Sequence, residues 1–334
     1  MPGPINLMVG LPDEGQVRIT QVAPAFDFIH GGTASFLLQL RHVRPWHIVW
    51  VGPAAPAVSK LAPGPIINYL ADPDICGASL LAASKNAAKI DRLWFNHPDQ
   101  ILRSTRDKVS AALQGIPGLD APRVVRLAPN LPGDIIEAIE RHDLGYPVIV
   151  RSAGEHGGKT LVKIDSPSDQ NLLVPLLSGA RDVYISQFRN FAGPDGLYRR
   201  YRFAVIGGKP YIKSIITGSE WNLHAASRIW NDDIIKFEKA ELDTFDDGLK
   251  PKMNKTVEEI ANRLKLDYFG IDCAVKENGE LVLFEANACM NMLIEIQLQP
   301  DIWKARSQEM THALLSLFDS PGQWFCAKAD YVEG

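Results

Sequence analysis

The hydrophobic positions of the first hundred residues fall into short runs that Pro and Gly separate. Runs such as HIVWVGPAAP (47–56) and RLWFNHP (92–98) are typical of buried strands that lead into loops. Between them, residues 65–87 have the pattern of a strand, a turn and a helix. This alternation predicts an open, largely parallel α/β unit in the N-terminal part of the chain.

Helical and strand periods continue along the rest of the chain. Three isoleucines are spaced for one face of a helix over 134–142, and a second apolar stripe predicts a helix over 255–266. A last amphipathic helix is predicted near 301–318, and no clear pattern follows Pro321. Gly207-Gly208, between two β-rich runs, predicts a hairpin turn. Further strands are predicted over 146–152, 159–164, 182–188, 198–208 and 209–217.

The composition restricts the function classes. A formal net charge of −4 without a long basic run argues against nucleic acid as the principal partner. No apolar stretch has the length of a bilayer span, and the N-terminus lacks the pattern of a secretion signal. Four scattered cysteines without a CxxC pair indicate small core residues in a reducing, cytoplasmic setting, and the role of Cys289 stays open.

Asn278-Gly279 lies between two alternating runs and is the strongest hairpin signal in the chain. A two-residue type I′ turn centred there sets the register of both strands. Cys273 then lies opposite Phe284 on the apolar face of the hairpin. Asp272 lies opposite Glu285 on the other face.

The facing acids predict a metal site. Like charges directly opposite each other destabilise a strand pair, because their Cβ atoms are only ~5 Å apart. A divalent cation offsets this repulsion, and Asn287 adds a third oxygen ligand two residues after Glu285. Such a set suits Mg²⁺, or Mn²⁺ in its place, with substrate phosphates as further ligands. The alternative is a solvated face whose acids point into water.

The segment RSAGEHGGKT (151–160) joins two predicted strands and contains three glycines. Glycines let a backbone approach phosphate groups and direct N–H groups at them. The segment is neither a Walker A sequence nor a GxGxxG loop before a helix, so a plain β-turn is the alternative.

In type and order, these segments resemble the ATP-grasp superfamily over about two thirds of the chain, residues 93–317. Glutathione-synthetase-like and ribosomal-protein-modifying carboxylate–amine ligases are the relatives they suggest, together with a little-characterised bacterial branch. The segments are FNHPDQILRSTRDK (95–108), YPVIVRSAGEHGGKT (146–160), VYISQFRNF (183–191), YRRYRFAVIGGKPYIKS (198–214), GIDCAV (270–275) and LVLFEAN (281–287).

The resemblance implies an α/β fold with α+β character in the centre. A Rossmann-like domain (1–100) would precede two ATP-grasp subdomains that clasp ATP. The central subdomain (101–190) would carry the glycine loop and the C-terminal one (191–320) the metal site. Residues 321–334 would form a tail.

The resemblance also implies residue roles at the phosphates. Lys108 matches a lysine that contacts phosphate, and Arg202 matches the arginine beside the transferred phosphate, so both are candidate catalytic residues. Arg151 falls where most members have a second lysine, and its planar fork differs from the point charge of a lysine. Lys213, on the next strand, is a weaker candidate for ATP binding.

The remaining implied roles concern the lid and the adenine. Gln187 would meet the adenine amino group, and the backbone near Phe188 would meet the ring edge. His224 lies where substrate loops often lie, and its role stays open. The lid over the phosphates would consist of Gly154, Gly157 and Gly158.

The activity that the resemblance implies is an ATP-dependent carboxylate–amine ligase. ATP would phosphorylate a carboxylate, and an amine would attack the acyl-phosphate to form an amide, with release of ADP and phosphate. Its partners would be small-molecule or peptide substrates, without nucleic acid or membrane, and a homodimer is left open. The alternatives are a small-molecule kinase of the same fold and an inactive nucleotide-binding regulator.

Overall fold

The computed structural model of the chain describes residues 4–15, 17–22, 25–29, 31–34, 46–56, 58–156, 158, 160–179, 182–292 and 303–327, apart from the side chains of 18–22, 25–29, 178–179 and 225. Within these ranges the chain forms a mixed α/β structure on three main sheets. None of the helices in the described ranges is long and apolar enough to cross a bilayer.

The N-terminal sheet is parallel, as its sequence pattern predicts. The strands of this region are β1 (Ile5–Val9), β2 (Arg18–Val22), β3 (Ala25–Ile29), β4 (Trp46–Trp50), β5 (Ile66–Asn68) and β6 (Trp94–Phe95). Strands β2 and β3 form a separate antiparallel hairpin, and the others form a sheet of order β4-β1-β5-β6 with parallel pairings. Helix α1 (Gly77–Ala87) connects β5 to β6 and buries Leu80 and Ala83. Strand β4 lies at the sheet edge and exposes Ile48 and Trp50, so the prediction of a buried strand there is wrong.

The second sheet is antiparallel, and its strands lie in the order β10 (Val162–Ile164), β9 (Val148–Ser152), β11 (Val183–Gln187) and β8 (Val124–Leu127). Two short helices and one two-residue strand precede it, and one helix and a 3-10 segment (Pro167–Gly179) accompany it. The Asp134 carboxylate accepts hydrogen bonds from the backbone N–H groups of Asn130 and Leu131 and so begins the accompanying helix. The elements are α2 (Pro98–Leu102), α3 (Arg106–Ala112), β7 (Leu119–Asp120), β8 (Val124–Leu127), α4 (Pro132–Arg141), β9 (Val148–Ser152), β10 (Val162–Ile164) and β11 (Val183–Gln187).

The strands of the third sheet lie in the order β13 (Lys209–Gly218), β12 (Tyr198–Ile206), β14 (Tyr268–Val275), β15 (Leu281–Asn287) and β7. All pairs are antiparallel except β15–β7. Its first hairpin turns at Gly207-Gly208, where φ is +57° and +81°, as a type I′ turn requires. The predicted apolar stripe of the helix before β14 is buried from Val257 to Leu264. The elements are β12 (Tyr198–Ile206), β13 (Lys209–Gly218), α5 (Asp232–Asp243), α6 (Leu249–Leu264), β14 (Tyr268–Val275), β15 (Leu281–Asn287) and α7 (Lys304–Phe318).

The described residues form two hydrophobic cores. One core spans the first and third sheets: Phe95 of β6 packs against Phe318 of α7, with ring centroids 4.9 Å apart. The other core belongs to the second sheet and includes Ile139 of α4 and Ile185 of β11. The second sheet is therefore a lobe with its own core, bordering a larger body that the N- and C-terminal parts of the chain share.

The segment after Pro321 is packed rather than free. Trp324 is fully buried, donates a 2.8 Å hydrogen bond to the Leu317 carbonyl, and lies 5.4 Å from the Phe95 ring. The Cys326 thiol donates to the Trp94 carbonyl at 2.9 Å. The predicted tail is thus shorter than 321–334, because its aromatic side chains complete the first core; residues 328–334 lie outside the described ranges.

Candidate active site

A cleft runs between the second and third sheets. Apolar side chains from both sheets, among them Val124, Ile149 and Leu283, form part of its lining. The lining also contains polar residues and a set of charged residues, most of which contact one another as described below. The charged residues of the lining are Arg106, Arg151, Arg189, Arg200, Asp272 and Glu285.

The hairpin that carries the predicted acid pair has a different turn from the one expected. Gly279 has φ +86°, whereas Asn278 is not in the positive region that a type I′ turn needs. The Gly279 N–H donates to the Lys276 carbonyl at 2.8 Å, and the Lys276 N–H donates to the Glu280 carbonyl at 2.9 Å. The connection is therefore a three-residue loop that ends on a left-handed glycine.

The longer loop shifts the register by one residue, and a β-bulge reverses the shift. Cys273 pairs with Leu283, so its predicted pairing with Phe284 is wrong. Phe284 is the extra residue, and beyond it Asp272 pairs with Glu285 as predicted. Asp272 and Glu285 are therefore opposite each other because of the bulge together with the turn, and the turn alone would not pair them.

Asp272 is buried and held by two arginines. Arg202 lies opposite it on β12, and its Nε and Nη2 donate to the two carboxylate oxygens at 2.7 and 2.6 Å. Arg200, two residues away on the same strand face, places Nη1 3.6 Å from Oδ2 of Asp272. Burial alone would lower the pKa of Arg202, but the adjacent Asp272 carboxylate raises it, so this guanidinium stays charged.

Glu285 lies in a cluster of positive charge. Its Oε1 forms an ion pair with Arg106 Nη2, accepts a hydrogen bond from Asn287 Nδ2, and lies 3.8 Å from His156 Nδ1. Burial alone would raise the pKa of this carboxyl. The charges of Arg106, Arg151 and His156 outweigh burial and hold its pKa well below the usual range.

The predicted metal ligands have suitable chemistry for a divalent cation. Asp272 and Glu285 offer the hard oxygens that Mg²⁺ prefers, and each Asp272 oxygen keeps a lone pair beyond the one that Arg202 uses. The amide of Asn287 directs Nδ2 at Glu285 and its oxygen at the thiol of Cys289, 3.4 Å away. Asn287 therefore fits as a ligand once its amide rotates.

The structure brings Arg106, not Lys108, into the cleft. Lys108 is exposed, and its Nζ donates to the Leu102 carbonyl at 3.0 Å. Arg106, Val109 and Ser110 line the cleft because helix positions three and four apart share a face. Lys108 does not line the cleft, so this geometry does not support the phosphate contact that the resemblance implies for it, and Arg106 is the residue of this helix start that faces the cleft.

Arg151 lies in the cleft, as predicted, and its environment suits an anion. Its Nη2 donates to the Glu155 carbonyl, while burial and then the nearby Arg106 charge lower its pKa to about 10. The Nε atoms of Arg151 and Arg200 are buried and have no hydrogen-bond partner in the described part of the chain. Buried donors without a partner are rare, and phosphate oxygens in the cleft would satisfy both.

The glycine loop has the backbone that its glycines allow. Gly154 and Gly158 have φ of +69° and +78°, where other L residues are strained. A Cβ on Gly158 would lie 3.2 Å from Asn222 Oδ1, so the loop packs closely against a segment of the third sheet's lobe. Gly157, the third predicted lid glycine, and Lys159 lie outside the described residues.

Gln187 lines the cleft, but its amide oxygen is already used. Oε1 accepts hydrogen bonds from the Arg123 N–H at 3.1 Å and from Arg189 Nη2 at 3.2 Å, and Nε2 donates to the Leu144 carbonyl at 2.9 Å. Since a carbonyl oxygen has two lone pairs, it cannot also accept from an adenine amino group. Gln187 positions β11 rather than serving as the predicted adenine acceptor.

Phe188 contributes its ring rather than its N–H group. The backbone N–H donates to the Pro147 carbonyl at 3.1 Å, so the predicted contact of the adenine edge with the backbone near Phe188 would use other backbone groups and stays a prediction. The ring lines the cleft, packs edge-on against Trp221 with centroids 5.8 Å apart, and lies 5.0 Å from Lys163 Nζ.

Two other candidates lie away from the charged cluster. Lys213 is buried, and its Nζ donates to Ser307 Oγ of α7 at 3.2 Å. It is the extra residue of a β-bulge in β13 and does not line the cleft, so its predicted ATP contact is corrected. The His224 N–H donates to Ser227 Oγ at 2.9 Å, which is a role in the local turn.

Arg106, Arg200 and Asp72 join the charged cluster although the resemblance does not assign them. Helix spacing could have found Arg106, and strand alternation with Arg202 could have found Arg200. Asp72 meets His156 across 84 positions of the chain, with Oδ2 and Nε2 2.5 Å apart. Neither spacing nor alternation predicts a contact of that range.

Known proteins match this chain in structure but not in sequence. No protein-family model matches the chain, and no curated protein matches its sequence. A D-alanine–D-alanine ligase from Bacillus anthracis matches with a TM-score of 0.54 at 13% identity, over 96% of this chain and 97% of that one. The complex of D-alanine–D-alanine ligase from the same organism with ATP matches with a TM-score of 0.52 at 14% identity, over 96% and 100%.

A third solved structure is an ATP-grasp RimK domain protein from Sphaerobacter thermophilus. It matches with a TM-score of 0.51 at 16% identity, over 95% of this chain and 98% of that one. Identities this low establish the fold and nothing finer. The chain shares the fold of these solved structures, one of which is an ATP-grasp protein, and this agrees with the fold that the order of its sequence segments predicted.

Proposed function

We propose that the chain is an ATP-dependent carboxylate–amine ligase that forms an amide through an acyl-phosphate. The observation that carries the proposal is the charged part of the cleft. There, Asp272 and Glu285 face each other among arginines, two of which keep a buried N–H without a partner. The match to a ligase structure complexed with ATP supports ATP as the nucleotide. The amine half of the reaction rests on the sequence resemblance.

Asp272 and Glu285, with Asn287 after rotation of its amide, would hold Mg²⁺ or Mn²⁺. Such an ion would neutralise part of the charge of the phosphates. The apolar lining from Val124, Ile149 and Leu283 would take the adenine ring.

The arginines would bind and orient the phosphates. Arg106, Arg151 and Arg200 line the cleft, and Arg202, on the same strand as Arg200, donates to Asp272, which also lines it. Four guanidinium groups against two carboxylates leave a positive excess that a polyphosphate would balance. Since a guanidinium presents two parallel N–H donors, each of these residues can fix the direction of a phosphate oxygen as well as attract it.

The reaction needs no side-chain nucleophile. A carboxylate oxygen of the substrate attacks the γ-phosphorus, the bond to the β-phosphate oxygen breaks, and ADP leaves. The amine then attacks the acyl carbon, loses a proton, and displaces inorganic phosphate. The protein's contribution is to hold the reactants in line and keep water out, an effect worth up to about 7–11 kcal/mol in well-oriented systems.

The test is a screen of carboxylate and amine pools for ADP release, followed by the mass of the product. We expect ADP and phosphate in equal amounts, and a product that is one water lighter than the two substrates together. Asp272→Asn should lose this activity, and Glu277→Gln, in the exposed turn of the same hairpin, is the matched control.

Other outcomes would redirect the proposal. A stable phosphorylated product without free phosphate would indicate a kinase. Saturable ATP binding without ADP formation from any pool would indicate a nucleotide-binding regulator and would refute the ligase.

A further inference from the structure

Three side chains from distant parts of the chain converge next to the acid pair. His156 Nε2 lies 2.5 Å from Asp72 Oδ2, and Cys289 Sγ lies 3.7 Å from that nitrogen and 3.8 Å from that oxygen. Asp72 follows β5, His156 belongs to the glycine loop, and Cys289 follows β15. Among the described residues, this is the one group of three or more His, Cys, Asp or Glu side chains with ligand atoms this close together.

The geometry differs from that of a catalytic triad. In a triad, the acid binds one ring nitrogen of the histidine and the nucleophile binds the other. Here both Asp72 Oδ2 and Cys289 Sγ approach the same nitrogen, Nε2 of His156. Three atoms that converge on one point form a coordination set, whereas a proton relay would form a line.

The separations suit a metal ion. The three distances leave a point about 2.0 Å from each ligand atom, close to the Zn–N, Zn–O and Zn–S bond lengths of roughly 2.0–2.3 Å. A tetrahedral ion would widen the Asp72–His156 separation by roughly 0.8 Å, as two metal bonds replace one hydrogen bond. His156 belongs to a loop segment rather than to a strand or helix, so it can make this adjustment.

The surroundings have the partners that metal ligands need. Asp72 is buried, and its other oxygen accepts a 2.8 Å hydrogen bond from the Asp74 N–H. The second ring nitrogen of His156 lies 3.8 Å from the Glu285 carboxylate, so it can keep its proton on that side when a metal replaces the proton on Nε2. One carboxylate and one thiolate give two negative charges, so a divalent ion makes the set neutral.

We propose that Asp72, His156 and Cys289 bind a Zn²⁺ ion, separate from the Mg²⁺ that the proposed function assigns to Asp272 and Glu285. A thiolate ligand selects Zn²⁺ over Mg²⁺, which takes oxygen ligands. Three protein ligands leave a fourth position for water or for a substrate atom. The ion ties the glycine loop to the N-terminal domain and to the end of β15.

The experiment uses the full chain after a chelator has removed bound metal. The chain is titrated with Zn²⁺ or with Co²⁺, in a buffer that contains excess Mg²⁺ and no nucleotide or substrate. We expect one Zn²⁺ per chain by elemental analysis, and a thiolate-to-metal charge-transfer band with Co²⁺. Cys289→Ser should abolish the band and weaken binding by at least about 100-fold, since loss of an outer-shell partner alone costs ten- to a hundredfold. Cys326→Ser, at the half-buried thiol packed on Trp94, should leave both unchanged.

A second measurement needs no variant. Zn²⁺ should slow alkylation of Cys289, followed by peptide mass, and should slow amide hydrogen exchange in the loop around His156. Absence of binding at micromolar Zn²⁺ would overturn the proposal and leave Asp72 and His156 as an ion pair. Binding that survives in Cys289→Ser but is lost in Asp272→Asn would place the ion at the acid pair and would also overturn it. Neither result depends on ATP turnover, so the test is independent of the ligase proposal.

Discussion

Glu285→Gln removes a negative charge from the centre of the arginine cluster while keeping the shape of the side chain. The ion pair that it breaks, with Arg106, is largely buried, since each side chain is 17% exposed. Removing one partner of a buried pair costs ~3–5 kcal/mol, and the partial exposure here favours the lower end, about 3 kcal/mol. Arg151 adds to the effect, because its pKa is already lowered by burial and by the charge of Arg106.

The loss can be measured by urea unfolding of the wild type, Glu285→Gln, Arg106→Gln and the double variant. We expect the double variant to lose less unfolding free energy than the two single variants lose together, by at least about 1 kcal/mol, because the two groups are in contact. ADP release by Glu285→Gln should fall by about 100-fold or more, since a metal ligand and its charge are lost. Glu277→Gln should change stability by less than about 0.5 kcal/mol. If Glu285→Gln unfolds and turns over like the wild type, both the ion pair and the metal assignment are refuted.

Three further predictions test other parts of the structure. Arg106→Ala should lower ADP release by about 100-fold and Lys108→Ala by less than about twofold, because only Arg106 lines the cleft. Equal losses in the two variants would support the phosphate contact first predicted for Lys108. Burial raises the pKa of Glu238 to about 7 against the pull of Arg228, so the folded state binds its proton more tightly than the unfolded state. Stability should therefore fall by about 3 kcal/mol from below pH 4.5 to above pH 7, and Glu238→Gln should lack this slope in urea titrations at pH 5 and 8. Trp324→Ala should cost ~3–5 kcal/mol in the same assay, whereas a free tail would lose nothing.

The elements of the fold were largely predictable because each has a local cause. The stripe of α6 and the glycine pair of the β12–β13 hairpin depend on residues within a few positions, and both agree with the structure. The course of the chain after Pro321 depends on Trp324 meeting Phe95, which lies more than two hundred positions earlier. Whether a strand lies at the edge or in the centre of its sheet also depends on pairing with distant segments. For this reason the exposure of β4 was not predicted.

The residues of the site were likewise predictable only where a local pattern determines their position. Asp272 and Glu285 were predicted from a turn that differs from the one present, and the bulge at Phe284 restored their pairing. Whether a matched residue points into the cleft depends on helix phase or strand bulges. Lys108, predicted from the resemblance, and Lys213, predicted from strand alternation, direct their ammonium groups to the Leu102 carbonyl and to Ser307.

If the cleft binds ATP as proposed, the charged cluster would keep its shape before the nucleotide binds. Each carboxylate is paired with a guanidinium, Asp272 with Arg202 and Glu285 with Arg106, so neither charge is left buried alone. Binding of ATP with its metal would replace these contacts by arginine–phosphate and carboxylate–metal contacts, which are again between opposite charges. The exchange costs little reorganisation, because the groups are already placed. Arginine suits it better than lysine, since a planar fork can pair with a carboxylate or a phosphate in the same geometry.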